Sequence, residues 1–401
     1  MSKPGFLSLS LYGLAQEEVL EVKRHKKSLD VGVPKETCLQ EKRVALSPLS
    51  VQLLVSNGHK VKVETGAGEG ARYTDMNYSD AGAEIIYNKK EVFQSNILLK
   101  VEPPSLEEIE LMHPKQILFS ALQLKTQEVQ YFKHLMEKKA TALSYEGLMD
   151  EDGIIPIVRS MSEIAGSSAI LIASEYLSNL KKGMGYLLGG VSGVPPTEVV
   201  ILGAGTVGTY AAKTAIALGA SVKVFDKSIS RLRRLQDQIN APVSTCVFQP
   251  NILGKALINC EVVIGAVRAV NGRTPCLVTE EMVMNMKQGA VIIDVSIDQG
   301  GTFETSELTT HDKPTFVKHG VIHYCVPNIP SRVSRTASFS LSNVLSPLLQ
   351  EIGDKGGIEE ILYSNRGVRS GLYLYNGVLT SKELGEYYNL PYTSAELLFH
   401  K

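Results

Sequence analysis

One stretch restricts the fold more than any other: residues 199–227, "VVILGAGTVGTYAAKTAIALGASVKVFDK". An apolar run ends in Gly203, Gly205 and Gly208, a helical pattern follows, and a second apolar run closes on Asp226. Gly203 permits a tight turn, Gly205 lets backbone approach a pyrophosphate, and Gly208 lets helix pack on strand. Ala204, Thr206 and Val207 complete the turn, where a helix N-terminus offers free N–H groups to phosphates. Asp226 lies 23 positions after Gly203, where a carboxylate accepts from ribose hydroxyls. Its charge repels a 2′-phosphate, so NAD is expected rather than NADP. Arg231 has two readings, a partner for such a phosphate or a solvated helix residue. A glycine turn without a ligand is the alternative to the whole motif.

The remaining chain sets the bounds. At 401 residues it is too long for one ordinary core, so two domains are expected. A net charge of −1 supplies no general field for nucleic acid or anionic lipid. Five scattered cysteines show no CxxC spacing, so neither a disulfide framework nor a metal site is expected. Buried free thiols in a reducing cytoplasm are the simpler reading. No apolar run reaches the roughly 18 residues of a membrane span. Residues 1–29 read as an appended arm with a helix over 14–26.

From Asp30 onward, short apolar runs alternate with helical patterns, which argues for βα units around parallel sheets. A second such series begins near residue 198. Between them lie a helical pattern over 162–181 and a glycine-rich loop. After Asn328 a helix over about 336–353 leads into a mixed tail, 354–401. The expected architecture is α/β: two doubly wound Rossmann-like domains with a cleft between them.

Ligands of such sheets bind outside the carboxyl ends of the strands. Two such ends are "GAV", closing on Val267, and "VSIDQGG", carrying Asp298. Asp298 is thereby placed near the reactive end of a dinucleotide. A turn cap beside Gly300 and Gly301 explains it equally well.

Taken together, "VGVPKETCLQEKRVALSP", "VETGAGEGARYTD", "ILLKVEPP", "MSEIAG", "GAGTVG", "IDVSIDQGGTFE" and "VPNIPSRVSRTAS" resemble the alanine dehydrogenase and nicotinamide nucleotide transhydrogenase family, with the dehydrogenase branch closer. The likeness runs in order over about 30–401. It implies a substrate domain of 30–158 plus 333–401, an NAD-binding domain of 159–332, and NAD-dependent oxidative deamination of L-alanine to pyruvate and ammonia. By the same resemblance Arg43 matches the arginine that holds the substrate carboxylate, Asp298 the aspartate beside the nicotinamide, Asn328 an asparagine at the same junction, and Ser162 a cofactor contact. A surface arginine, a turn residue before Pro330 and a helix N-cap are the respective structural alternatives for Arg43, Asn328 and Ser162. A homo-oligomer is also implied, with a hexamer among the candidates.

The sequence departs from the family at two places. Gln123 stands where the family's histidine belongs, and an amide cannot shuttle a proton at neutral pH. Glu102 stands where a lysine is expected, reversing a charge in the pocket. Lys100, two residues earlier, either reaches the substrate or snorkels from a strand. His113 and His323 offer no evident substitute, so Asp298 is left as the proton carrier. Three readings follow: an alanine dehydrogenase with substitute groups, a dehydrogenase for another amino or imino acid, or an NAD-binding homologue without the chemistry.

Overall fold

The computed structural model describes residues 26–123, 127–179, 182–268 and 274–399. The expected helix over 14–26 falls, save for Lys26, outside the described residues.

The first parallel series comprises β1 (Asp30–Val33), β2 (Lys60–Glu64), β3 (Glu84–Ile86), β4 (Ile97–Leu99), β5 (Ile117–Ser120) and β6 (Thr141–Ser144). They lie in the order β3-β2-β1-β4-β5-β6. The second series comprises β7 (Glu198–Leu202), β8 (Ser221–Asp226), β9 (Ser244–Val247), β10 (Val262–Gly265), β11 (Val291–Asp294), β12 (Thr315–Lys318) and β13 (Val321–Tyr324). Its order is β9-β8-β7-β10-β11-β13, with β12 antiparallel on the outer edge. Residues of β10 and β11 are buried throughout, because helices cover both faces of a parallel sheet. That is why these strands read as unbroken apolar runs.

Both sheets therefore reverse direction in the same way, between β1 and β4 in one and between β7 and β10 in the other. Each reversal opens a crevice at the strands' carboxyl ends.

Two long helices connect the halves. Pro156–Leu177 begins six residues before the expected start, with Pro156 in its first turn, a position that costs no hydrogen bond. It packs closely on helix Thr206–Ala217: a Cβ on Gly166 would lie 2.3 Å from the Val207 carbonyl oxygen. Ser334–Asp354 buries Leu341, Leu345, Leu349 and Ile352 in the core of the first sheet. The tail then adds β14 (Leu372–Tyr375) and β15 (Val378–Leu379), antiparallel, beyond β6.

Four strands have no counterpart in the sequence reading: β3, β12, β14 and β15. The first two are short, partly exposed edge strands without a continuous apolar run, and β14 and β15 close the first sheet's other edge. All five cysteines are free, but Cys38 and Cys276 are exposed, so uniform burial does not hold. Among the described residues no helix is long and apolar enough to cross a membrane, and no group of three or more His, Cys, Asp or Glu could hold a metal ion.

Candidate active site

The crevice between β7 and β10 is built by the glycine turn. Gly203 has φ +111°, and a Cβ there would lie 2.5 Å from the Ala266 carbonyl oxygen. Val267 borders the same turn, its Cγ2 being 3.3 Å from that position. A Cβ on Gly208 would lie 1.8 Å from the Gly203 carbonyl oxygen, so the helix approaches the strand as closely as backbone allows. At Gly205 a Cβ would meet nothing within 4 Å. That open shelf lies at the N-terminus of helix Thr206–Ala217, where Gly205 is the cap and no side chain caps the helix. Thr206 and Val207, in the first turn, are half-buried. A pyrophosphate fits this cradle: space, free N–H groups and a positive helix end coincide.

Asp226 closes the cradle on one side. Its Oδ2 accepts from the Ala204 N–H at 2.8 Å and its Oδ1 from the Ser228 N–H at 2.8 Å. Arg231 Nη1 stands 4.0 Å from Oδ2, with the side chain 47% exposed. Ser162 is not an N-cap. It sits inside helix Pro156–Leu177 and its hydroxyl donates to the Val158 carbonyl at 2.7 Å.

Asp298 lies at the exit of β11 in the short 3₁₀ turn Ile297–Gln299, exposed, with Gly300 left-handed at φ 102°. The loop around it is organised by a residue absent from the sequence reading. Asp294, the last residue of β11, is fully buried. It accepts from the Ser296 N–H (3.1 Å), the Thr302 N–H (2.8 Å) and the Ser306 hydroxyl (2.7 Å). Burial raises its pKa, and these donors work against the rise. A carboxylate closing an apolar run is the signal that could have singled it out.

The other crevice, between β1 and β4, is crowded with charge. Arg43 is only 9% exposed. Its Nε and Nη2 donate to Glu41 at 2.8 and 2.5 Å, and Nη2 also donates to Glu102 Oε1 at 3.0 Å. The other oxygen of Glu102 accepts from the Gln123 side-chain amide. Asn328, in the left-handed region at φ 57°, donates from Nδ2 to Glu41 Oε2 at 2.7 Å, tying the exit of β13 to this cluster. Beside it lies a recess of about 200 Å³ lined in part by Lys35, Glu36, Glu41, Lys42 and Arg43.

Lys100 does not join this group. It is 1% exposed, so it neither snorkels nor lines the recess, and it pairs with Glu36 at 2.9 Å and Glu108 at 3.3 Å. Burial disfavours its charge, but the two carboxylates more than offset that and raise its pKa. Its expected role as a substrate ligand is corrected accordingly: its ammonium is consumed in the domain interior.

The two carboxylates on Arg43 separate electrostatically. For Glu41, burial is outweighed by Arg43, and the pKa falls to about 2. For Glu102, burial dominates, Arg43 opposes it and Glu41 reinforces it, leaving the pKa at about 8. One guanidinium cannot fully compensate two buried anions, so the second carries a proton easily. His323, as the sequence suggests, is a buried core residue: Nε2 lies 2.8 Å from the Thr305 hydroxyl, and burial lowers its pKa to about 4. His113 interacts with the Ser95 and Pro114 carbonyls, on the amino side of the first sheet.

Two doubly wound sheets, a glycine cradle in one crevice and a buried arginine in the other define a two-domain, dinucleotide-binding oxidoreductase architecture. Residues 32–165 match the family model described as "Alanine dehydrogenase/PNT, N-terminal domain", and residues 169–382 match its C-terminal counterpart. The chain is 43% identical over 368 residues to an alanine dehydrogenase of Methanococcus maripaludis, covering 91% of this chain and 98% of that protein. It is 40% identical to alanine dehydrogenase 2 of Staphylococcus aureus over 373 residues, 93% and 100% of the two chains. Among solved structures, an L-alanine dehydrogenase superposes with a TM-score of 0.84 at 36% identity, covering 90% of this chain and 99% of that one. A transhydrogenase from Sinorhizobium meliloti shares the fold, with a TM-score of 0.74 at 24% identity, 88% and 99% covered. The chain belongs to the alanine dehydrogenase/PNT family.

Proposed function

We propose that this chain is an alanine dehydrogenase, converting L-alanine, NAD and water to pyruvate, ammonium, NADH and a proton. One observation carries the reading: the open glycine cradle and the buried Arg43 occupy the two crevices, and Asn328 bonds one side of the molecule to the other through Glu41. NAD, when bound, accepts the hydride from the substrate Cα. The backbone of Ala204, Gly205, Thr206 and Val207 would hold its pyrophosphate. Asp226 would accept from the ribose hydroxyls and repel a 2′-phosphate, and Arg231, 4.0 Å from Asp226 and half exposed to solvent, offsets only part of that charge.

Arg43 would hold the substrate carboxylate, the Gln123 amide would donate to a substrate oxygen, and Asp298 would take the proton from the substrate ammonium. Loss of hydride leaves an iminium, water adds to it, and the carbinolamine expels ammonia after proton transfer. A second reading, a dehydrogenase for an amino acid with a cationic side chain, is favoured by Glu102, a carboxyl in the pocket that a cation beside it would hold ionised. Family membership supports a homo-oligomer, and the free thiols suit a reducing cytoplasm.

Amino acids with NAD, and 2-oxo acids with ammonia and NADH, should be screened by NADH absorbance. Highest kcat/KM for L-alanine and pyruvate is the expected result. Preference for a basic amino acid would establish the second reading, and no turnover with any substrate would overturn both.

A further inference from the structure

We infer that Glu102 is a proton-linked occupant of Arg43: it holds the guanidinium's outer donor until a substrate carboxylate displaces it, and the displaced Glu102 is protonated, taking up a proton on binding wherever it was ionised beforehand. The inference rests on the reading of Arg43 as the carboxylate-binding residue. Its ground is the contact pattern. Glu41 takes the Nε–Nη2 edge of Arg43 in a two-point contact and is itself held by Asn328. Glu102 makes one bond, from Nη2, and its remaining anchor is the Gln123 amide. On Nη1 the neighbour is the Met161 sulfur at 3.6 Å, a weak acceptor. An incoming carboxylate therefore competes with Glu102 and not with Glu41.

Three carboxylates on one buried guanidinium would leave two uncompensated anions, an unfavourable arrangement where water is excluded. Protonation of Glu102 (carboxylate plus a solvent proton giving the carboxylic acid) removes one of them. Its pKa, already about 8, makes this cheap near neutral pH. The groups facing Glu102 are Glu36, Glu41, Arg43 and the Cys38 thiol from the segment after β1, together with Gln123 after β5. Burial and these same carboxylates raise the Cys38 pKa, so the thiol stays protonated and does not supply the effect. Lys100 is turned to Glu36 and Glu108. The protonated acid holds a transferable proton beside the substrate, which the Gln123 amide does not.

The sign follows directly. Carboxylate binding selects protonated Glu102, so affinity is full below the pKa and is lost as pH rises through about 8. The test is calorimetric titration of pyruvate into the protein–NADH complex, without ammonia, in buffers of different ionisation heat. Uptake of roughly 0.9 proton at pH 9 and roughly 0.1 at pH 7 is expected, with roughly tenfold weaker binding at the higher pH. Glu102→Gln should take up no proton and bind pyruvate equally well at both values. Wild-type binding without proton uptake at pH 9 overturns the inference, whatever the variant does. So does an unchanged pH slope in Glu102→Gln. If pyruvate fails to bind the wild-type complex at either pH, the Arg43 reading falls and this one with it.

Discussion

Arg43 and Lys100 both bring positive charge to the end of the first sheet, and their surroundings give them opposite uses. Lys100 is sealed between Glu36 and Glu108. Lys100→Met should destabilise the fold by about 3–5 kcal/mol, since buried Glu36 loses its cation and Glu108 keeps only Lys89; denaturant unfolding measures this. Arg43 has its outer donor held only by the single bond to Glu102, which a ligand carboxylate can displace. Arg43→Lys keeps the charge but loses the planar fork, and KM for L-alanine should rise roughly ten- to hundredfold with little change in NAD affinity. Asp298 has a different test. If it takes the substrate proton, Asp298→Asn lowers kcat by roughly a hundredfold or more. Unchanged kinetics would make it a turn cap, consistent with its place beside Gly300.

Helix Thr206–Ala217 shows how one motif divides its labour between fold and ligand. Gly205→Ala places a methyl in space that protein leaves open, so thermal stability should hold while NAD affinity drops by roughly tenfold or more, through lost access to the phosphates. Gly208→Ala drives a methyl into the Gly203 carbonyl. It should cost at least about 2 kcal/mol by forcing helix from strand, and weaken NAD binding as a consequence. Thermal unfolding and titration of NAD on both variants separate the two roles. Asp226 belongs to the same element pair: direct titration should show NAD binding far more tightly than NADP. The reverse preference would mean that Arg231, not Asp226, governs the ribose.

At the scale of the molecule, the site depends on contacts between segments remote in sequence. Asn328 reaches Glu41 across 287 positions, the Gln40 amide donates to Asp312 at 2.8 Å, and the His311 N–H donates to Gln40 at 2.6 Å. These bonds lock the loop that carries Arg43 against the exit of the second sheet. Asn328→Ala removes a hydrogen bond to a charged group and leaves Glu41 held by Arg43 without its tie to the exit of β13, so KM for L-alanine should rise roughly tenfold. NAD affinity, set at the glycine turn, should not move. Steady-state kinetics and NAD titration distinguish this from general unfolding, which would impair both.

The class of fold, the glycine cradle and the acidic end of β8 were legible in the linear sequence because each arises within some thirty residues, from periodicity, turn chemistry and the free N–H groups of one helix. Asp298 stood out by its place at the exit of a strand, with a turn cap as an equal explanation, whereas Arg43 stood out only through resemblance to a family, since an arginine in a polar loop has an ordinary structural explanation. Edge strands β3 and β12 were hidden because they are short and lack a continuous apolar run, whereas β14 and β15, joined by Asn376 and Gly377, carry a hairpin pattern that their place in a mixed tail obscured. Burial of Lys100, the anchoring of the 294–306 loop by Asp294, and the sharing of Arg43 between Glu41 and Glu102 were decided by tertiary structure alone. The charge state of a carboxylate depends on which cations and donors surround it and how much water is excluded. Those neighbours meet only when the chain has closed, as with Glu102 and Arg43, 59 positions apart.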